Sequence, residues 1–462
     1  MVGNHAIRML ATLLYPLRGV SVIVRGEAGS AKSTLIRGAL ALAFGPEALD
    51  DQKRELLLWG GSSDKALLTE DNVDRIETTA THCAIPELEF VLTTDRGFDI
   101  VKMWTEGEPY PYERATEFGR RSTKLVLRPL PILTSVANES PRLKDLAEEM
   151  ERRFLPLFTE SSREMNERIH RRKAEIEAYP DARLFLDGVQ RYDTLHHHIE
   201  DVMEKDFGGL RASSHPMELV EDRPLIGVKN PCAPYMVGIV PKRFTISNTY
   251  IDYWHEMVKA ITAFYYPQRP IYDVGTEKYL MATPTDNYLA WLVGGQVIVD
   301  ASLRLRDLGH VLMGIVPTLD YKYGGDMLDE GAKSLDRIVD EISAKGYERS
   351  RSQIKELLLR LVMANYVKMD DKDRYWKTHE YGDEFVANFN WQDCLDETKK
   401  LMRETYPAVA SDYISMYCED PVCVHPFTGE KIRILDTTGV CRTQEPIKTK
   451  KRVSIDQLEG FI

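Results

Sequence analysis

Cysteine is scarce. There are six in 462 residues, too few for a disulfide scaffold and suited to a reducing cytoplasm. Long apolar runs are missing as well, and no stretch approaches the ~18–20 unbroken apolar residues of a membrane span. The N-terminal MVGNHAIRMLATLLYPLRG is apolar, but Arg8, Pro16 and Arg18 interrupt it, and it lacks the ordered regions of a signal peptide. A basic excess is also absent: 60 Lys and Arg stand against 72 Asp and Glu, a net charge of −12. Contact with a polyanion must then come from local basic clusters, not from the field of the whole chain. The rest, 43% hydrophobic and 29% charged, is the balance of a soluble globular protein. At about 150 residues per domain the length suits two to four domains. An intracellular, cytoplasmic protein with no membrane partner is expected.

The first chemical signal follows the β-branched run VSVIV at residues 20–24, which reads as a buried strand. It feeds into Gly26, Glu27, Ala28, Gly29, Ser30, Ala31, Lys32, Ser33 and Thr34, and then into the helical pattern LIRGALALAF. Strand, glycine-rich turn and helix make the context of a phosphate-binding loop. Backbone N–H groups of such a turn and the helix N-terminus cradle polyphosphate oxygens. Lys32 would reach the β- and γ-phosphates of ATP, and Ser33 would hold Mg2+. The usual pattern has glycine where this chain has Ala31.

A phosphate-loop ATPase also needs an acidic strand. The segment His82-Cys-Ala-Ile-Pro86-Glu87 supplies one, with Pro86 where an Asp usually stands. Glu87 is then expected to polarise the attacking water, and metal binding rests more on Ser33. An ordinary buried strand ending in a surface Glu is the plainer alternative. A further apolar strand runs Pro131-Ile-Leu-Thr-Ser-Val-Ala-Asn138. Between the two lies a polar insertion, Asp95 to Arg128, carrying Lys102, Arg114, Arg120, Arg121 and Lys124. After them comes Glu148-Glu-Met-Glu-Arg152-Arg153-Phe154-Leu-Pro-Leu-Phe.

In this order, and with a Gly-x-x-Gly-x-Ala-Lys-Ser loop, these elements resemble AAA+ ATPases. Over residues 15 to about 160 they are most similar to the minichromosome-maintenance (MCM)-like replicative helicases. Ala31 is shared with that family, whereas Pro86 departs from it. The resemblance implies an α/β fold: an AAA+ P-loop core with a parallel sheet, a helical lid and a C-terminal winged helix. It implies that the strand ending at Asn138 lies between the other two and that Asn138 senses the γ-phosphate. It implies that Arg153, or else Arg152, is an arginine finger delivered to a neighbour's ATP in a ring, hexameric by analogy. A surface ion pair with the preceding glutamates is the other reading of these arginines. The insertion would be a DNA-touching hairpin with Arg120, Arg121 and Lys124 on phosphates, or equally a solvated face. Cellular members of the family carry an N-terminal DNA-binding collar ahead of the ATPase, which is not seen here. A shortened version from a virus, plasmid or integrated element is expected.

Residues 160–205 are polar and helix-prone with a break at Pro180. Within them His196, His197 and His198 suggest a metal, but neighbours on a helix point about 100° apart, so only one or two could share a site. Residues 206–235 read as a connecting loop. After Pro241-Lys-Arg243 come the helix IDYWHEMVKAITAFYYPQR and further lid helices in ATPTDNYLAWLVGGQVIVDASLRLRDLG. Arg243 is the leading candidate for the lid arginine of an AAA+ protein, with Arg304 and Arg306 as competitors.

The domain boundaries follow: a core at 1–205, lid and connection at 206–325, a winged helix at 326–380 and an extension at 381–462. The winged helix is read from the amphipathic KSLDRIVDEISAKG, a second helix from Ser350, and ANYVKMDDKDRYWKT as a hairpin around MDDKDR. Arg351, Gln353 and Lys355 would lie at the start of a recognition helix, with Arg374 and Lys372 on the wing. Protein contact is the alternative use. Cys418, Cys423, His425 and Cys441 could build a tetrahedral zinc site, or Cys418 and its neighbours a buried thiol cluster. The terminal KTKKRVSIDQLEGFI faintly resembles a sliding-clamp-binding peptide without its leading Gln, and a disordered tail fits it equally.

Taken together, these features predict a ring-forming ATPase that moves DNA, with DNA and further copies of itself as partners. The alternative is an ATP-controlled origin-binding initiator or helicase-loader switch with slow hydrolysis. Remodelling of protein partners is a third possibility.

Overall fold

A computed structural model describes residues 3–26, 30, 32–45, 55–60, 67–115, 122–137, 153–159, 166–167, 169–171, 174, 182–205, 207, 226–238, 240, 247–274, 277–302, 309–319, 331–347, 349–363, 366–377, 389–419, 422–424, 431–433 and 440–441. The first seven strands are β1 (Val22–Gly26), β2 (Leu56–Leu58), β3 (His82–Ile85), β4 (Tyr110–Ala115), β5 (Ser122–Leu127), β6 (Ile132–Ala137) and β7 (Leu155–Phe158). Five of them form one sheet in the order β2-β3-β6-β1-β7, and every neighbouring pair is parallel. Strands β4 and β5 stand apart as an antiparallel hairpin between β3 and β6 in the chain.

The sheet is parallel because its strands are apolar on both faces. All four residues of His82–Ile85 are buried, as are Val22, Ile23 and Val24, the pattern of a sheet covered on each side. Helix α1 (Gly3–Arg18) and helix α2 (Lys32–Phe44) cover one face. In α2 the buried Leu35, Ile36, Ala39, Leu40, Ala43 and Phe44 recur at helical spacing. Helix α1 is the apolar N-terminal stretch, with Pro16 in its last turn. Tyr15 donates to the Cys83 carbonyl at 2.7 Å and the His82 ring meets the Tyr15 carbonyl at 3.1 Å, which ties α1 to β3. The other face packs against Trp59, Trp104, Leu127 and Leu130, beneath helices α3 (Glu70–Thr78), α4 (Leu88–Val91) and α5 (Asp95–Thr105).

The region expected to be a helical lid also carries a sheet. Strands β8 (Ile226–Lys229), β9 (Ile271–Val274) and β10 (Glu277–Met281) pair in the order β8-β10-β9. Residues 226–229 thus leave the loop expected at 206–235. The cause is local: IYDV and EKYLM place β-branched, aromatic and other apolar residues about Gly275-Thr276, and they pair antiparallel. The expected helices are present at Ser247–Phe264, Pro284–Ala290 and Gln296–Ser302, with a π-turn at Trp291–Gly295. Asp286 is wholly buried and accepts from Arg269, from Thr262 Oγ1 at 3.1 Å and from the Thr283 N–H at 2.8 Å, so its charge is fully engaged.

Farther on, helices Leu335–Ala344 and Arg351–Met363 precede a hairpin of Lys368–Met369 and Arg374–Trp376, whose second strand also pairs with Lys333–Ser334. The first helix ends before Gly346 at φ +85°, and the hairpin turns at Asp373, φ +53°. Helices Trp391–Thr405 and Pro407–Tyr417 pack back on the preceding region. Tyr413 donates to the Ala282 carbonyl at 2.6 Å, and Thr398 Oγ1 donates to Cys232 Sγ at 3.0 Å. Among the described residues, no helix is long and apolar enough to cross a membrane.

Candidate functional site

Ligands of parallel α/β sheets bind beyond the carboxyl ends of the strands. At that end of β1, Gly26 closes the strand and α2 begins at Lys32. Lys32 Nζ donates to the Gly26 carbonyl at 2.9 Å, so the ammonium bridges the loop. Burial lowers its pKa, and the charges of Glu87 and then Glu89 act against that. Both carboxylates therefore stand within electrostatic reach of Lys32. Ser33 and Thr34 are exposed in the first turn of α2.

The floor of this loop is built by Thr159, which follows β7. Its N–H and hydroxyl both donate to the Arg25 carbonyl, at 2.8 and 3.1 Å, and its Oγ1 lies 2.7 Å from Ser30 Oγ. A Cβ at position 26 would sit 1.7 Å from Thr159 Oγ1 and 2.5 Å from Ser30 Oγ. Glycine is therefore required there by close approach. Gly26→Ala is expected to lower the thermal midpoint by several degrees, since overpacking costs about 1–3 kcal/mol. On the nucleotide-binding reading proposed below, it should also abolish stabilisation by ATP–Mg2+ in thermal unfolding. An alanine variant that melts and responds like the wild type would show that Thr159 yields without loss.

Across β6 lies the acidic strand. Register pairs Ile85 with Thr134 and Thr134 with Ile23, and Glu87 follows two residues beyond the paired end of the strand. Ser135 Oγ donates to the Pro86 carbonyl at 2.6 Å, fixing the strand end. Glu87 is the N-cap of α4, yet makes no side-chain capping bond and is exposed. Its carboxylate remains available to the crevice. Glu89 and Thr159 escaped sequence reasoning. Only the flanking of a buried Leu88 by two acids could have flagged Glu89, and nothing in the chain's local pattern flags Thr159.

The sheet brings Gly26, Ser30, Lys32, Ser33, Thr34 and Glu87 together. Glu27, Ala28, Gly29, Ala31, Asn138, Arg152, Arg120, Arg121, Arg243, Arg304, Arg306, His425 and the terminal tail lie outside the described residues. Lys124 is on β5, opposite Glu113. Arg153 precedes β7, at the amino end of the sheet. Its Nη1 pairs with Glu106 Oε1 at 2.5 Å and donates to the Lys102 carbonyl at 3.1 Å.

Four of the expected DNA-contact residues of the C-terminal region have a side-chain partner within residues 326–380. Arg351 pairs with Asp336 at 2.7 Å, Lys355 with Asp373 at 2.8 Å and Arg374 with Asp370 at 2.6 Å. The Gln353 side-chain oxygen accepts from the Ser350 N–H at 3.0 Å. Such partly exposed pairs are weak enough to exchange for phosphate.

The three histidines diverge: His196 meets the Leu42 carbonyl at 2.9 Å, His197 that of Asp193 at 2.6 Å and His198 that of Phe264 at 2.7 Å. Cys418 is buried, and its thiol is pushed up to about 12, first by burial and then by Cys232. Cys423 and Cys441 lie on short strands. Among the described residues, no three His, Cys, Asp or Glu side chains are placed to hold a metal.

Comparison with protein-family models gives no match, and comparison with curated proteins gives none either. The donor set itself fits a magnesium-bound nucleoside triphosphate. An ammonium spans the loop at Gly26, exposed hydroxyls open α2 at its positive end, and two carboxylates stand near that ammonium.

Proposed function

We propose that the chain is an AAA+ ATPase that assembles into a ring and moves DNA, as replicative helicases do. The observation that carries this is Lys32 docked on the Gly26 carbonyl, with the charge of Glu87 reaching it from the far side of β6. The interposed strand supports the same reading, because the AAA+ resemblance implies a sensor strand between the loop strand and the acidic strand. The helix, turn, helix and hairpin at 335–376 support a winged helix.

In this reading Lys32, Ser33 and the backbone of residues 26–34 bind the polyphosphate. Glu87 accepts a proton from the attacking water, and Arg153 of an adjoining copy completes the site. Ser33 would hold Mg2+, which when bound would supply charge neutralisation at the phosphates. Pro86 has no carboxylate for that ion, so Glu89, whose charge also reaches Lys32, is the acid assigned to a metal-bound water. Basic residues of the β4–β5 hairpin would line the pore and meet DNA phosphates, which leaves the acidic balance of the chain to the outside of the ring.

The test is steady-state ATP hydrolysis by the purified chain with and without single-stranded DNA. A motor is expected to turn over faster with DNA, by tenfold or more. A slow rate indifferent to DNA would overturn the motor and favour an ATP-controlled switch that binds duplex DNA.

A further inference from the structure

We propose that Glu106 is a positioning residue that holds Arg153 within its own protomer and releases it when the β4–β5 hairpin moves. This rests on the motor reading above, in which Arg153 acts on a neighbour's nucleotide and the hairpin touches DNA.

Three observations carry it. The Arg153 guanidinium is nearly buried, its side chain about 10% exposed, and the end of α5 supplies two partners: the Glu106 carboxylate at 2.5 Å and the Lys102 carbonyl at 3.1 Å. The carboxyl end of a helix is negative, so α5 attracts the arginine beyond the one ion pair.

Second, Glu106 is joined stiffly to the hairpin. It is the C-cap of α5, and Gly107 follows at φ +75°. Gly107 N–H donates to the Trp104 carbonyl at 3.1 Å and Glu108 N–H to the Met103 carbonyl at 2.9 Å. These two bonds and the left-handed glycine form a Schellman closure. Strand β4 begins at Tyr110, so only three residues, Gly107 to Pro109, separate Glu106 from the hairpin. A tilt of the hairpin must displace Glu106.

Third, there is room for the arginine to leave. Arg153, Glu106, Gly107, Trp104, Leu130 and Pro131 line a cleft of about 470 Å³ at the amino ends of the strands. The Glu106 side chain is 44% exposed, and an ion pair with one wet partner is weak. It cannot hold an arginine against a triphosphate once its geometry is disturbed. The pair thus has two states: closed on Glu106, or open toward an adjoining copy.

The experiment compares ATP hydrolysis by the full chain, by Glu106→Gln and by Glu106→Asp, with and without a single-stranded oligodeoxynucleotide. Glu106→Gln is expected to raise the DNA-free rate about three- to tenfold, toward the stimulated wild-type rate. Its ratio of stimulated to unstimulated rate should fall by the same factor, while Glu106→Asp keeps the wild-type ratio. Adding Arg153→Ala to Glu106→Gln must erase the gain.

A ratio unchanged in Glu106→Gln, including one in which both rates fall together, overturns the role of Glu106 and leaves the motor standing. So does a gain that survives Arg153→Ala. A wild-type protein indifferent to DNA overturns the motor and this role with it. Should Glu106→Gln fail to fold, Glu106→Ser carries the same expectation and the same refutation.

Discussion

Glu87→Gln is expected to bind ATP–Mg2+ about as tightly as the wild type while losing at least about 100-fold in turnover, the usual scale of a positioned general base. The amide keeps the size and the hydrogen-bonding reach of the carboxylate but cannot accept the proton of the attacking water. Binding should survive because Lys32, Ser33 and the loop backbone are untouched, and Glu87 caps nothing with its side chain. Removing one negative charge near Lys32 should lower that lysine's pKa further, since burial already lowers it and Glu87 is the first of the two charges that oppose burial. The ammonium then persists over a slightly narrower range at high pH, which leaves neutral pH unaffected.

The measurement pairs equilibrium binding of a fluorescent ATP analogue with steady-state phosphate release. Wild-type turnover in Glu87→Gln would remove Glu87 as the base. If Glu89→Gln then collapsed turnover instead, the base would be two residues farther on, beyond the buried Leu88. The two glutamates are worth separating because Pro86 takes away the carboxylate that usually precedes the base. Its carbonyl still serves, accepting from Ser135 at 2.6 Å, so the strand end is held without it.

The strand ending at Gly26, the helix from Lys32 and the strand His82–Ile85 were legible because each is local. VSVIV, Gly26 to Thr34 and LIRGALALAF follow one another without interruption, and their patterns suffice to predict strand, turn and helix. The hairpin at 368–376 was legible for a similar reason, since MDDKDR is a polar tip between alternating residues. Helix 335–344 announced its own end at Gly346. In each case backbone preference and burial point to one answer over fewer than twenty residues.

What was not legible depends on distant neighbours. Thr159 earns its place only because β7 pairs with β1, which puts a residue 133 positions after Gly26 against that glycine's missing side chain. Glu106 looks like one of many surface acids until the fold sets Arg153 beside it. Strand β8 has little pattern of its own in IGVK and forms because β10 offers it an edge. Pro16 reads as a break in the N-terminal segment, but in the last turn of α1 it is tolerated while Leu10, Leu14 and Leu17 pack below 7% exposure.

Mixing inactive Lys32→Ala protein with inactive Arg153→Ala protein is expected to restore ATP hydrolysis. Each variant alone should fall to background, Lys32→Ala for want of nucleotide binding. Arg153→Ala should fall because an arginine finger is worth about 10³–10⁵ in turnover. The geometry leaves no cis role for Arg153. It precedes β7, whereas the phosphate loop lies past the carboxyl end of β1, and β7 runs parallel to β1. Four residues of strand separate the two levels, about 13 Å at the usual rise, with the guanidinium turned toward Glu106. An arginine so placed is out of reach of its own phosphate loop, and in the proposed ring it would serve a nucleotide on another copy. Random mixing of equal amounts into rings puts an intact loop next to an intact arginine at about a quarter of the interfaces. Recovery to a sizeable fraction of wild-type turnover per such interface is therefore the expected result, with a maximum near equal proportions. Mixed assemblies, verified by mass, that stay at background would remove Arg153 from the site and return it to a plain ion pair with Glu106.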